Sequence, residues 1–284
     1  MLEVLGDEWT LLIIQQALLG AARYGEFVAA LPVSNSVLSG RLQSLVAEEL
    51  LTRREYQSNP PRAEYLATAR SRSMWPILTS IWEWERRWVP AHTRPLPGMR
   101  HQVCGSGFAP MVTCGACGST TSEKDVVAQW GPSGSWKRSV PSTTNRRRSG
   151  NRRGRTGVLF PQTMNVMGDR WAFAMLVAAF VGATRFTDFQ CQLGAAPATI
   201  AGRLAMFAAE EILVNTDGRY RLTDKGRALF PVLVTALQWA QRWYPDFEGP
   251  AVELTHTVCG RRFDALLVCD QCEAPLRGAQ VIPV

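Results

Sequence analysis

Apolar and polar positions along this chain fall into a helical pattern that is written twice. From Leu31 to Leu50 (LPVSNSVLSGRLQSLVAEEL), Leu38, Leu42, Leu45 and Val46 recur on one helical face, and Ser36, Ser39, Arg41 and Gln43 take the other. LGAAPATIAGRLAMFAAEEI, from Leu193 to Ile212, repeats the apolar face with Ile200, Leu204, Phe207 and Ala208. Ser34 and Asn35 open the first helix with capping chemistry, while Pro197 opens the second at a first helical position. The doubling extends outward: VLGDEWTLLII (Val4–Ile14) matches VMGDRWAFAML (Val166–Leu176), and AARYGEFVAALP (Ala21–Pro32) matches ATRFTDFQCQLG (Ala183–Gly194). The offset between copies is 162 (166 − 4) through the repeated helix and 155 (220 − 65) at Tyr65 and Tyr220, so the second copy is seven residues shorter (162 − 155) in between.

In the first copy the periodicity predicts three short helices, near 7–19, 24–31 and 35–49. A hairpin follows, with arms at Leu51–Tyr56 and Glu64–Thr68 around the turn-rich Gln57-Ser58-Asn59-Pro60-Pro61. Its counterpart shrinks to Leu213–Leu222 around Asp217-Gly218, a tight-turn pair. Long helices are predicted near 70–89 and 224–243, striped by Ile77, Ile81, Trp84 and Trp88, or by Leu229, Leu233, Leu237 and Ala240. Helix, helix, helix, hairpin, long helix is the winged helix-turn-helix order. The fold class is therefore mainly α with small β-hairpins (α+β), with winged helix domains at 1–98 and 163–250.

The wording of LGDEWTLLII, RYGEF, LSGRL, PPRAEYLAT and LTDKGRALFPVL resembles the HxlR-type family of bacterial transcription regulators. The resemblance covers both units almost end to end. It implies a DNA-binding homodimer that pairs through its first and last helices, so two units in one chain imply an intramolecular pseudo-dimer. Some family members carry a redox-sensing cysteine in an arm before the first helix; none stands just ahead of LGDEW or MGDRW. Cys191, in the second helix of unit two, reads most simply as a small buried residue.

A short helix with a small, polar front suits a DNA major groove. The candidate DNA contacts in unit one are Ser34, Asn35, Ser36, Ser39, Arg41 and Gln43 on the helix and Arg53, Arg54 and Arg62 on the wing. In unit two they are Thr199, Arg203, Arg219 and Arg221. Unit two offers Ala196, Pro197, Ala198 and Ala201 where unit one has Ser34, Asn35, Ser36 and Ser39. Alanine offers only apolar contact, so unit one is expected to read most of the sequence and unit two to add backbone affinity. Gly40 and Gly202 stand mid-helix, where glycine costs roughly 0.5–1 kcal/mol relative to alanine; close approach to DNA or a helix, or plain packing, would account for them. The rival reading is a protein-interaction module that keeps the scaffold without specific DNA reading.

Two further clusters repeat with identical spacing: His101-x2-Cys104-x9-Cys114-x2-Cys117 and His256-x2-Cys259-x9-Cys269-x2-Cys272. Cys-x2-Cys lets two thiolates share one ion, and His-x2-Cys supplies the other half of a tetrahedral shell. Each cluster is read as one closed structural zinc site in a zinc-ribbon-like segment, at 99–122 and 251–284, giving two zinc ions per chain. The alternative is two isolated thiol pairs with incidental histidines.

The net charge of +7 looks like a nucleic-acid signature until it is located. Lys137, Arg138, Arg146, Arg147, Arg148, Arg152, Arg153 and Arg155 lie in one acid-free stretch worth +8, which leaves −1 (7 − 8) elsewhere. That stretch belongs to 123–162, read as a basic flexible linker whose ~20-residue span would reach near 25 Å and whose arginines can grip phosphates or merely stay solvated. Trp75, Trp82, Trp84 and Trp88, with Trp239, Trp243 and Tyr244, suggest pairing and core residues, an effector cage being the alternative. No nucleophile–base pair or open metal position appears, so an enzyme is not expected. Glu3, Asp7 and Glu8 precede the apolar Leu11–Ile14 run where a signal peptide would be basic, and a cytoplasmic, membrane-free protein is expected.

Overall fold

The computed structural model describes residues 2–90, 92, 95–134, 160–168 and 170–284. In the first unit, α1 (Leu2–Leu5) precedes α2 (Glu8–Leu18), α3 (Tyr24–Ala30) and α4 (Asn35–Ala47). The wing is β1 (Leu51–Ser58) with β2 (Pro61–Ala67), and α5 (Ala69–Arg72) and α6 (Trp75–Trp88) close the unit. A tail follows with β3 (Met99–His101), β4 (Pro110–Cys114) and β5 (Val126–Trp130). The second unit contains α7 (Pro161–Met167), α8 (Arg170–Phe180), α9 (Phe186–Leu193), α10 (Pro197–Ala209), the short wing β6 (Leu213–Thr216) and β7 (Arg219–Leu222), α11 (Asp224–Arg227) and α12 (Phe230–Trp243). Its tail holds β8 (Val252–His256), β9 (Ala265–Cys269) and β10 (Val281–Pro283).

Local chemistry sets the helix starts. Asp7 caps α2, its Oδ1 accepting from the Thr10 N–H at 2.9 Å, and Ser34 caps α4 by accepting from the Val37 N–H at 3.5 Å. The α4 stripe of Leu38, Leu42 and Leu45 is buried, as are Ile200, Leu204 and Phe207 on α10. The long helices depart from expectation: each is split, α5 from α6 at Ser73–Met74 and α11 from α12 at Ala228–Leu229. Pro76 and Pro231 explain the break. Each lacks an N–H to bond back one turn and its ring crowds that turn, so each sits at the start of a new helix instead.

The two units share one hydrophobic core, with α6 packed against α12. Their contacts are reciprocal. Trp84 Nε1 donates to the Lys225 carbonyl at 3.1 Å, and Trp239 Nε1 donates to the Arg70 carbonyl at 3.0 Å. Both partners are related by the same offset of 155 (239 − 84 and 225 − 70), as a two-fold relation requires. The relation is imperfect at the next pair. Trp243 Nε1 donates to Ser73 Oγ at 2.8 Å, whereas the buried Trp88 Nε1 has no hydrogen-bond partner among the described residues, Ala228 standing where Ser73 would be.

The tails overturn the picture of two separate ribbons. β4 pairs antiparallel with β9, β5 with β8, and β3 with β10, so every one of these strands pairs with a strand of the other tail. Val112 faces Leu267 at the centre of the β4–β9 ladder, and 267 − 112 is again 155, which puts the two-fold axis there. Packing explains the choice: an exchanged ladder buries Val112 and Leu267 and sets Phe108 and Phe263 beneath the sheets in a second core cluster. The expected boundary at 122 also moves, since a 3-10 turn (Glu123–Asp125) and β5 lie in the stretch read as linker. Lys137–Arg155 and Trp136 lie outside the described residues. No helix among the described residues is long and apolar enough to cross a membrane.

Candidate nucleic-acid interface and metal centres

On α4 the side chains of Asn35, Ser36, Val37, Gln43 and Ser44 are exposed, opposite the buried leucine stripe. Asn35 and Gln43 have no side-chain partner among the described residues, which leaves amide donors and acceptors open for a base edge. Ser36 shares a 3.3 Å contact with Ser34. Gly40 and Gly202 are exposed too, and a Cβ at either would meet nothing within 4 Å. Packing inside the chain therefore does not require these glycines.

Two of the expected base contacts are engaged in holding the helix instead. Arg41 Nη2 pairs with Asp7 Oδ2 at 2.7 Å, with only 21% of its side chain exposed, so one carboxylate both caps α2 and ties down α4. The reason lies in the three-helix packing: α4 crosses the start of α2, which brings the Arg41 guanidinium onto the largely buried Asp7 carboxylate. Arg203 is half-buried at the matching place on α10. Ser39 Oγ donates to Tyr24 Oη at 3.2 Å, and Tyr24 Oη donates to the Asn35 carbonyl at 3.0 Å, locking α3 to α4. In unit two both partners are lost together, to Phe186 and Ala201, so part of the alanine-rich character of α10 reflects this internal pair.

On the first wing Arg53 pairs with Glu55 at 2.7 Å and Arg54 with Glu64 at 2.9 Å, while Arg62 stands exposed at the start of β2 with no side-chain partner among the described residues. The Arg54 guanidinium holds the Glu64 carboxyl below its usual range. Solvent screens pairs this open and keeps them weak, so a phosphate can replace the carboxylate. Arg219 and Arg221 are exposed on the short wing, and Thr199 is half-buried near the start of α10. Cys191 is exposed, contrary to expectation. Phe189 and Leu193, four apart, bury one face of α9 and leave Cys191 pointing away.

All eight predicted metal ligands come together, but in different sets from those the spacing suggested. His101 and Cys104 meet Cys269 and Cys272; Cys114 and Cys117 meet His256 and Cys259. Within each set the ligand atoms lie within 4.8 Å of one another. His101 Nδ1 lies 3.5 Å from Cys104 Sγ and 3.4 Å from Cys272 Sγ, and Cys104 Sγ lies 3.9 Å from Cys269 Sγ. His256 Nδ1 lies 3.4 Å from Cys117 Sγ and 3.3 Å from Cys259 Sγ. His101, His256, Cys114 and Cys269 are buried, and the other four thiols are more open to solvent. The Ser106 backbone N–H chiefly, with His101 and the neighbouring thiols, lowers the Cys104 thiol to about 6; the Ser119 hydroxyl and backbone do the same for Cys117. Burial pushes Cys269 up.

Trp84, Trp239 and Trp243 donate their indole N–H groups across the seam between units, while Trp82 donates to the Pro97 carbonyl at 2.9 Å and faces Phe108 of the tail. None of them lines the apolar cavity of about 30 Å³ between α8, α12 and the β5–β8 ladder. Sequence reasoning missed Asp7, Tyr24 and Thr121 as positioning residues, and also Glu85. Glu85 is buried, accepts from the Thr163 N–H at 2.6 Å and faces His92 Nε2 at 3.3 Å. Identical motif wording in the two copies hid Asp7, since nothing in LGDEW says where its carboxylate points.

The model of the HxlR-like helix-turn-helix family matches residues 4–93 and 166–248. The uncharacterized HTH-type transcriptional regulator Rv3095 of Mycobacterium tuberculosis is 33% identical over 131 residues, covering 46% of this chain and 83% of its own length. The uncharacterized HTH-type transcriptional regulator YvaP of Bacillus subtilis is 38% identical over 88 residues, covering 31% of this chain and 82% of its own. Among solved structures, the proposed transcription factor PA1607 is 34% identical, with a TM-score of 0.36, over 40% of this chain and 84% of its own.

Proposed function

Because the chain belongs to the HxlR-like helix-turn-helix family, a family of regulators and not of enzymes, we propose that it is a sequence-specific DNA-binding transcription regulator that works as an intramolecular pseudo-dimer. The observation that carries this is the pair of exposed helix fronts, α4 and α10, on units joined by reciprocal contacts. Unit one is the main reader: Asn35, Ser36 and Gln43 face base edges, with Ser34 at the helix cap near a phosphate. Arg62, with Arg53 and Arg54 released from their acids, lies along the backbone or minor groove. Arg41 and Ser39 act through the helix they position. In unit two Thr199, Arg219 and Arg221 add mainly backbone affinity, with Arg203 in the place of Arg41. Bound across a promoter, such a body acts as a repressor by excluding polymerase.

The test is competition binding at physiological salt between DNA selected from a random pool and unselected DNA. The proposal expects selected DNA to bind about 10³-fold tighter or better. Equal competition would overturn it and leave a protein-interaction module. That reading is favoured by the exposed alanines of α10, Ala198, Ala201, Ala205 and Ala208.

A further inference from the structure

We infer that the two tails form one exchanged module that binds two Zn²⁺ ions, each ion clamping the first half of the chain to the second. One ion takes His101, Cys104, Cys269 and Cys272; the other takes Cys114, Cys117, His256 and Cys259. Thiolates at about 2.3 Å and an imidazole nitrogen at about 2.0–2.1 Å from a tetrahedral ion stand about 3.8 Å (S–S) and about 3.5 Å (S–N) apart. The observed separations of 3.9 Å between Cys104 and Cys269, and 3.3–3.5 Å between each Nδ1 and its thiols, match both values. The two imidazoles present the same atom, Nδ1, and each set is three sulfurs and one nitrogen. That donor set closes the shell with soft ligands and suits zinc over magnesium or calcium.

The exchange gives these ions a role that two local ribbons would lack. Cys104 and Cys269 are 165 residues apart, so each ion closes a chain loop of that order. The module is fastened to the long helices on both sides. Phe108 lies 6.2 Å from Trp82 of α6, Phe263 stacks at 6.0 Å on Phe230 of α12, and Gln238 of α12 accepts from the Ala265 N–H at 2.8 Å. Since α6 and α12 also form the seam between the units, the ions brace the separation of α4 and α10.

Paired substitutions separate exchanged sites from local ones in the full chain. Zinc is counted after dialysis against a weak chelator, and cobalt(II) spectra check the donor set. Wild-type protein should hold two equivalents. C104S with C272S removes two ligands from one exchanged site and should leave one equivalent; C104S with C117S strikes both sites and should leave close to none. Local ribbons invert the result, with none for the first pair and one for the second. That inversion, or a wild-type protein without tightly held metal, would overturn the inference. A variant that fails to fold is bypassed with wild-type protein: after metal removal and mild oxidation, peptide mapping should find Cys104 joined to Cys269 or Cys272. Its recovery joined to Cys114 or Cys117 would equally count against exchange.

Discussion

At the scale of residues, side chains on one helix divide into those that hold it and those that face outward. Arg41→Ala removes a charged hydrogen bond of 2.7 Å to the Asp7 carboxylate, so a loss of about 1.5–3 kcal/mol in thermal or denaturant unfolding is expected. Gln43→Ala should move stability by less than about 0.5 kcal/mol yet reduce discrimination between selected and random DNA. A destabilised Gln43 variant, or an Arg41 variant of native stability, would reverse these assignments. The two ligand sets differ in what lies behind the imidazole. His256 Nε2 lies 3.4 Å from Thr121 Oγ1, which donates onward to the Ser119 carbonyl at 2.9 Å. In the other set the buried His101 Nε2 has no hydrogen-bond partner among the described residues, and Leu276 stands where Thr121 would be. An outer hydrogen bond of this kind is worth roughly 10–100-fold in affinity. Chelator-driven zinc release should therefore be biphasic in wild-type protein, and Thr121→Val should speed the slow phase; a single unchanged phase would contradict this.

At the scale of elements, most of the winged helix order is legible in the sequence, because the apolar stripes of α2, α4, α10 and the long helices are strongly periodic. The breaks before α6 and α12 were also written there, in Pro76 and Pro231, but a continuous stripe of apolar residues masks a one-turn interruption. Roles on the helix front were less legible. Ser39 and Arg41 have the residue types of DNA contacts, and only three-dimensional packing reveals Tyr24 and Asp7 as their partners. Gly40 is the informative position on α4. With open space where its Cβ would go, Gly40→Ala should stabilise the isolated protein by about 0.5–1 kcal/mol. If the α4 front is pressed against DNA, the same change should weaken specific binding; a stabilised variant with undiminished affinity would show that this face stays clear of the duplex.

At the scale of the whole molecule, the grouping of metal ligands was illegible in principle. Two copies with identical His-x2-Cys and Cys-x2-Cys spacing satisfy local and exchanged shells equally, and long-range strand pairing decides between them. Glu85 makes the seam between units asymmetric. Glu85 of α6 is buried and accepts from the Thr163 N–H on α7, whereas Ala240 stands at the matching place on α12. Burial raises its pKa above the ordinary carboxylate value, against the pull of Thr163 and His92. A group with a raised folded pKa favours the fold below its unfolded pKa and loses that contribution as pH rises through the folded value. Glu85→Gln should thus match wild type near the ordinary carboxylate pKa and exceed it in melting temperature at higher pH. A Gln variant that falls progressively below wild type as pH rises would show that the charged Glu85–His92 pair outweighs burial.

The most direct test of one chain acting as two unequal readers is selection of bound sites from a random DNA pool, with the protein-to-DNA stoichiometry measured on the winners. The expected result is one chain per site and two half-sites about one helical turn, ~34 Å, apart. One half-site should be strongly specified and should lose its preference in Gln43→Ala, and the other should be degenerate. Two half-sites of equal information, two chains per site, or no enriched sequence would contradict it.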